Sequence, residues 1–213
     1  SKKVALLINQ RFTINATVTP ATAKQGVKYK TADKKIAAVS AKGVIKGVAA
    51  GKTTVTVTAA DGKTETITVE VCNVKLNATS KTMNIGQTYT LKLSNSKYKV
   101  SKWSSSNSKI VKVDAKGVIT AKAKGTATIT AKLTNGIKLT CKVTVTKVSL
   151  SATKVSMFIY DYKYLTLKNA LGKVKWSSSN SKVATVNSSS GIITSSSIHT
   201  LPKPFLLLPN KNS

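Results

Sequence analysis

Acidic residues are scarce in this chain. Six Asp and Glu stand against 35 Lys and Arg, for a formal net charge of +29, and Arg11 is the only arginine. Guanidinium forks suited to specific phosphate and base contacts are thus nearly absent, and no specific nucleic-acid partner is expected. The acids are Asp33, Asp61, Asp114, Asp161, Glu65 and Glu70. Asp61 reads as a turn residue, and Asp114 sits just before a glycine turn. Glu65 and Glu70 lie five positions apart, so they point to opposite faces of one strand. No carboxylate pair for acid–base chemistry suggests itself. The single histidine, His199, completes neither a Ser-His-Asp set nor, with Cys72 and Cys141, a metal site. No glycine-rich phosphate loop is present. The expectation is a chain without catalytic residues, cofactor or metal.

Other shortages narrow the class further. Aromatics make up 5% of residues, which suits small aliphatic cores rather than a deep aromatic pocket. Val4–Ile8 and Phe205–Leu208 are far shorter than the roughly 20 residues that cross a bilayer, so no membrane span is expected. A secretion signal, if one exists, is expected outside this chain. A ten-residue strand spans roughly 34 Å, which should hold Cys72 and Cys141 too far apart for a disulfide. No stretch shows helical periodicity with caps.

Thr, Ser, Val and Lys dominate instead, and the β-branched residues among them favour strands. Lysines are spread along the whole chain with no dense cluster in the sequence. They read first as a solvated surface that keeps edge strands from pairing, and second as a loose attraction to anionic polymers.

A repeat organises the chain. Gly43-Val44-Ile45 returns 74 residues on as Gly117-Val118-Ile119. The same offset takes Tyr29 to Trp103, Ile36 to Ile110, Val39 to Val113, Gly51 to Gly125 and Asp61-Gly62 to Asn135-Gly136. A third copy repeats Trp103-Ser104-Ser105-Ser106-Asn107-Ser108-Lys109 as Trp176-Ser177-Ser178-Ser179-Asn180-Ser181-Lys182, 73 residues on. Such a period exceeds the 20 to 50 residues of solenoid repeats, so each copy needs its own core. Leu139, Cys141, Val143 and Val145 alternate with Thr140, Lys142, Thr144 and Thr146, as a half-buried strand should. Ala127, Ile129 and Ala131 alternate likewise, and Asn135-Gly136 between the two runs signals a hairpin. Further strands are expected at 74–78, 88–93, 100–103, 110–113 and 118–121. Some seven short strands per copy indicate an all-β fold of immunoglobulin-like sandwiches placed end to end.

These motifs, Trp-Ser-Ser-Ser-Asn-Ser-Lys, then Ile/Val-x-x-Val, then Gly-Val-Ile-Thr-Ala, then Gly-Thr-Ala-Thr-Ile-Thr-Ala, resemble the bacterial Ig-like domain family, group 2. The resemblance covers residues 4 to about 194. It implies a module of bacterial surface or secreted proteins, of the kind found in intimin- and invasin-like stalks, located extracellularly or on the cell surface. The expected division is residues 1–72, lacking a first strand; 73–147, complete; 148–194, lacking its last strands; and an irregular tail at 195–213 holding three prolines.

Trp103 and Trp176 read as core aromatics at the start of a strand rather than as sugar platforms, since Tyr29 shares their place. Tyr160, Tyr162 and Tyr164 form the only aromatic-dense stretch and are the candidate ligand-binding residues, with alternating tyrosines on ordinary β-surface as the other reading. The sequence thus points to a monomeric, non-catalytic spacer flanked by further domains of a larger parent protein. The alternative is an adhesive module, or a companion of a glycan-active enzyme, that recognises cell-wall or host-surface glycans.

Overall fold

A computed structural model describes residues 2–20 and 26–196. Every regular element among them is a strand. In the first repeat a four-stranded sheet runs Lys2–Leu7, Thr64–Cys72, Gly51–Ala59, Val27–Thr31 in spatial order. Lys2–Leu7 pairs in parallel with Thr64–Cys72, and the other pairs are antiparallel. A three-stranded sheet of Arg11–Thr13, Val44–Gly47 and Ala37–Val39 closes the sandwich. The second repeat reproduces both layers. Val100–Ser105, Gly125–Leu133, Lys138–Thr146 and Ser80–Asn84 form the larger sheet, and Thr88–Thr90, Val118–Ala121 and Val111–Val113 the smaller. Lys75–Leu76 adds a short ladder with Leu93–Ser94.

Alternation along the strands sets the core. Leu139, Cys141, Val143 and Val145 are buried, as are Ala127, Ile129 and Ala131. The outward positions pair threonines across the ladder, Thr130 with Thr140 and Thr126 with Thr144. In the first repeat Thr54 faces Thr68 and Thr56 faces Thr66. Such pairs add roughly 0.2–1 kcal/mol each over alanines.

Three hydrophobic clusters follow, one per repeat. The second buries sixteen residues and the first nine, whereas the third buries Leu165, Ala184 and Ile193 alone among the described residues. The third repeat forms a three-stranded sheet of Tyr162–Tyr164, Ile192–Ser195 and Ala184–Val186, and pairs Ser149–Leu150 with Leu167–Lys168. The middle strands of the larger sheet in the second repeat, Gly125–Leu133 and Lys138–Thr146, correspond to positions past 196. Those positions, and most of the expected tail, lie outside the described residues.

Glycines explain why the motifs recur. Gly43, Gly117 and Gly191 have φ of 73°, 82° and 72°, a left-handed backbone that other residues resist. A Cβ at these places would also lie 2.7 Å from a ring atom of Tyr29, Trp103 or Trp176. The aromatic ring of the Trp-Ser-Ser motif therefore stacks on the bare backbone of the Gly-Val-Ile turn. Trp103 and Trp176 are partly buried against their cores, as the sequence suggests.

The hairpin expected at Asn135-Gly136 is present. Gly136 alone of the two takes positive φ, at 90°. Leu133 N–H bonds Ile137 O and Gly136 N–H bonds Leu133 O, which makes a three-residue loop with a glycine bulge. Asn135 instead accepts the Ile137 N–H on its side chain, and Asp61 accepts that of Lys63 at the matching place.

Candidate functional site

Two places carry more than packing: the joints between repeats, and an exposed aromatic surface on the third repeat. A turn recurs in all three repeats. Leu7, Asn84 and Phe158 hold equivalent positions, and each donates its N–H to a side-chain oxygen three residues on, in Gln10, Gln87 and Asp161. The third residue of the turn has positive φ: Asn9 at 67°, Gly86 at 89° and Tyr160 at 64°. Asn and Gly tolerate this region, and a bulky aromatic resists it.

In the first two repeats the opening residue of this turn reaches the next repeat. Leu7, with Ala5 and Cys72, packs against the second core. Asn84 is buried; its Nδ2 donates to Asn169 O at 2.7 Å and its Oδ1 accepts from Leu171 N–H at 3.2 Å. Asn169 returns a bond from its side chain to Lys147 O.

The first joint adds charge. Glu70 on Thr64–Cys72 accepts Lys97 Nζ at 2.7 Å and the Tyr98 hydroxyl, both from the second repeat. Lys97 also lies over the Tyr98 ring. Burial alone would raise the Glu70 pKa, but the bonds from Lys97 and Tyr98 and the charges of Lys97 and Lys52 outweigh it and hold the carboxyl below its usual value. Asn135 donates to Cys72 Sγ at 3.6 Å. Burial, with the Glu70 charge behind it, pushes the Cys72 thiol up. Glu70, Cys72, Lys97 and Tyr98 line an open cleft of about 410 Å³, so solvent reaches the Glu70–Lys97 pair and screens it. Cys141 lies in the second core, where burial raises its thiol likewise.

The four aspartates serve turns. Asp33, Asp114 and Asp161 accept backbone N–H groups on their side chains, as Asp61 does. No cluster of three or more His, Cys, Asp or Glu that could hold a metal occurs among the described residues. No helix of the described residues is long and apolar enough to cross a membrane.

The three predicted tyrosines do not share one strand. Tyr162 and Tyr164 lie on the strand Tyr162–Tyr164, with ring centroids 6.0 Å apart and planes at 86°. Tyr160 sits off it, in the left-handed turn position, because the turn precedes the strand. All three are exposed, and Phe158 joins them at 85% exposure. The other repeats carry Arg11 and Thr13, or Thr88 and Thr90, where Tyr162 and Tyr164 stand. Sequence reasoning missed Phe158, and carrying the repeat alignment through 154–161 would have found it. It also missed Glu70, whose partners in Lys97 and Tyr98 become neighbours only when the joint forms.

With this geometry established, comparison with known proteins is decisive for the family. The sequence profile of the bacterial Ig-like domain (group 2) matches residues 1–69 and 70–143. The chain belongs to that family. An uncharacterized protein of Clostridium acetobutylicum is 32% identical over 167 residues, which cover 72% of this chain. The chain spans 17% of the length of that relative. Among solved structures, the C-terminal 282-residue fragment of intimin, in complex with the intimin-binding domain of its translocated receptor, is similar at 22% identity. It covers 60% of this chain and 54% of its own, with a TM-score of 0.37. Domains 4 and 5 of the S-layer protein SbsC match at 19% identity over 63% of this chain and 78% of theirs, with a TM-score of 0.27. The first joint and the glycine turns at Gly43 and Gly117 thus lie within two tandem group 2 bacterial Ig-like domains.

Proposed function

We propose that this chain is a non-catalytic spacer within a larger bacterial surface or secreted protein. Its units would be residues 1–72, 73–147 and 148–194. One observation carries the reading: each repeat passes into the next within two residues, and side chains bridge both joints. Thr64–Cys72 leads to Lys75–Leu76, and Lys138–Thr146 to Ser149–Leu150. Glu70 ties the first joint and Asn84 the second. So short a link leaves little hinge freedom, which favours a semi-rigid rod that holds neighbouring modules apart. The lysines would add a salt-sensitive attraction to anionic wall polymers.

Small-angle scattering tests this. A rod of about 100 Å is expected, from roughly 34 Å per unit. Scattering from a compact particle or a flexible string would overturn it.

A second reading rests on the exposed Tyr160, Tyr162 and Tyr164. Aromatic faces left in water bind sugar rings or partner proteins. Saturable binding to one glycan at physiological salt, lost in Tyr162→Ala, would make the third repeat an adhesive module.

A further inference from the structure

The folded register gathers lysines that the sequence keeps apart. On the outer face of the larger sheet in the second repeat, Lys102 lies opposite Lys132, and Lys132 opposite Lys138. All three are exposed. A bulge at Ser101 sets this arrangement. Val100 pairs with Leu133 and Lys102 with Lys132, so the unpaired Ser101 shifts the strand by one residue, and Lys102 joins the outer row while Trp103 turns to the core. Ser101 Oγ donates to Lys132 O and pins the bulge.

Like charges directly opposite one another destabilise a ladder. The first repeat avoids this: its equivalent row is Lys28, Thr58 and Thr64, without a bulge. Neither ion pair of the described residues involves the lysine row. The next outward rows are Ser104, Thr130 and Thr140, then Thr128, Lys142 and Ser80. Three uncompensated cations thus span roughly 10 Å at strand spacing, with hydroxyls and a fourth lysine beside them.

We propose that this face of the second repeat is a docking surface for a linear anionic glycopolymer with repeating phosphates, of the polyol-phosphate type. The inference rests on the spacer reading and deepens it, by giving the diffuse lysine attraction one place. Opposite charge removes the repulsion within the row, and the adjacent hydroxyls supply hydrogen bonds to phosphate or polyol oxygens. Lysine acts on phosphate as a point charge, which suits a polymer read by spacing rather than by shape.

The test uses the whole chain with purified poly(glycerol phosphate) teichoic acid, and duplex DNA as comparator, across a salt series. The variant Lys132→Thr/Lys138→Thr installs the residues of the first repeat. The control Lys109→Thr/Lys116→Thr removes equal charge from turns. The row variant should bind teichoic acid about tenfold more weakly at low salt, with a log–log salt slope shallower by roughly 0.7 per lysine removed. The control should change little. Added polymer should raise the melting temperature of the native chain and leave that of the row variant nearly fixed. Equal losses in the two variants, no binding at low salt, or tighter binding to DNA than to teichoic acid would each overturn the proposal. The length measured by scattering should be the same in all three proteins, so a failure of the spacer reading would show there and not in binding.

Discussion

In the second repeat, Trp103 and the Ser-rich turn after it lead into a closed sandwich whose larger sheet has four strands. In the third, Trp176 and the same turn stand, among the described residues, beside a three-stranded sheet and a core of three buried residues. Both repeats nevertheless form the same local features. Gly117 and Gly191 take the same left-handed backbone under the same ring, and Asn107 and Asn180 each accept a backbone N–H two residues on. Turn chemistry is local and survives wherever its residues are present. A core depends on strands remote in sequence, and burial near 25 cal/mol per Å² accrues only when both layers close.

The sharpest break in that comparison should appear in hydrogen exchange. Amides of Gly125–Leu133 and Lys138–Thr146 should open only with the whole second repeat. Those of Tyr162–Tyr164 and Ala184–Val186 should exchange on the order of a thousandfold faster, since few buried contacts among the described residues hold them. Equal protection in the two repeats would mean that the third draws stability from outside the described residues.

The next effect acts on the shared turn. Gly117→Ala places a Cβ 2.7 Å from Trp103 Cζ2 and 2.8 Å from Leu91 O, at a φ of 82°. The strain and clash should cost the second repeat about 3 kcal/mol, read from urea unfolding by tryptophan fluorescence. Gly191→Ala meets Trp176 and Leu165 O in the same way, but should shift the third repeat by less, because fewer buried residues among those described hold the ring in place. A loss under about 1 kcal/mol for Gly117→Ala would show that the ring swings aside freely.

What could be read from the chain follows the same division. Alternation at 125–133 and 138–146 and the glycine turns were legible because each is a local pattern. So were the buried place of Cys141 and the joint position of Cys72. The bulge at Ser101, the lysine row and the Glu70 contacts were not. The bulge pairs and the Glu70 contacts join residues 27 to 33 positions apart, and no local pattern encodes those distances. Tyr160 falls between the two cases. Its density with Tyr162 and Tyr164 was visible, while its place in a left-handed turn shows only when the third repeat is laid over Asn9 and Gly86.

The joints extend the comparison with a smaller effect. Glu70→Gln should weaken the coupling of the first and second repeats by about 1 kcal/mol, since the pair is solvent-screened. NMR relaxation would then show the two repeats tumbling less as one body. Because the Glu70 carboxyl is held below its usual 4.5, its contribution is whole above that value. It drains away as pH falls through the lower value of the folded chain. Lys97, Tyr98 and Cys72 also face it, and all three are shifted upward, away from that acid range. The second joint rests on the neutral amide of Asn84, so its coupling should stay flat over the same window. Asn84→Ala should loosen it equally at both ends. Acid loosening of both joints alike would mean that global charge, not Glu70, sets the first.

The smallest effect is a gain. Tyr160 holds φ at 64° where its counterparts are Asn9 and Gly86, and its ring, 86% exposed, is not part of the third core among the described residues. Tyr160→Gly should therefore stabilise the third repeat by roughly 0.5–1 kcal/mol, by relieving the left-handed strain. Thermal unfolding followed at Trp176 reads this. If the variant gains stability and also loses glycan binding, the strained tyrosine is held in place for recognition. If it loses stability, the ring makes a contact that supports the third repeat, and the likeness between this turn and those at Asn9 and Gly86 stops at the backbone.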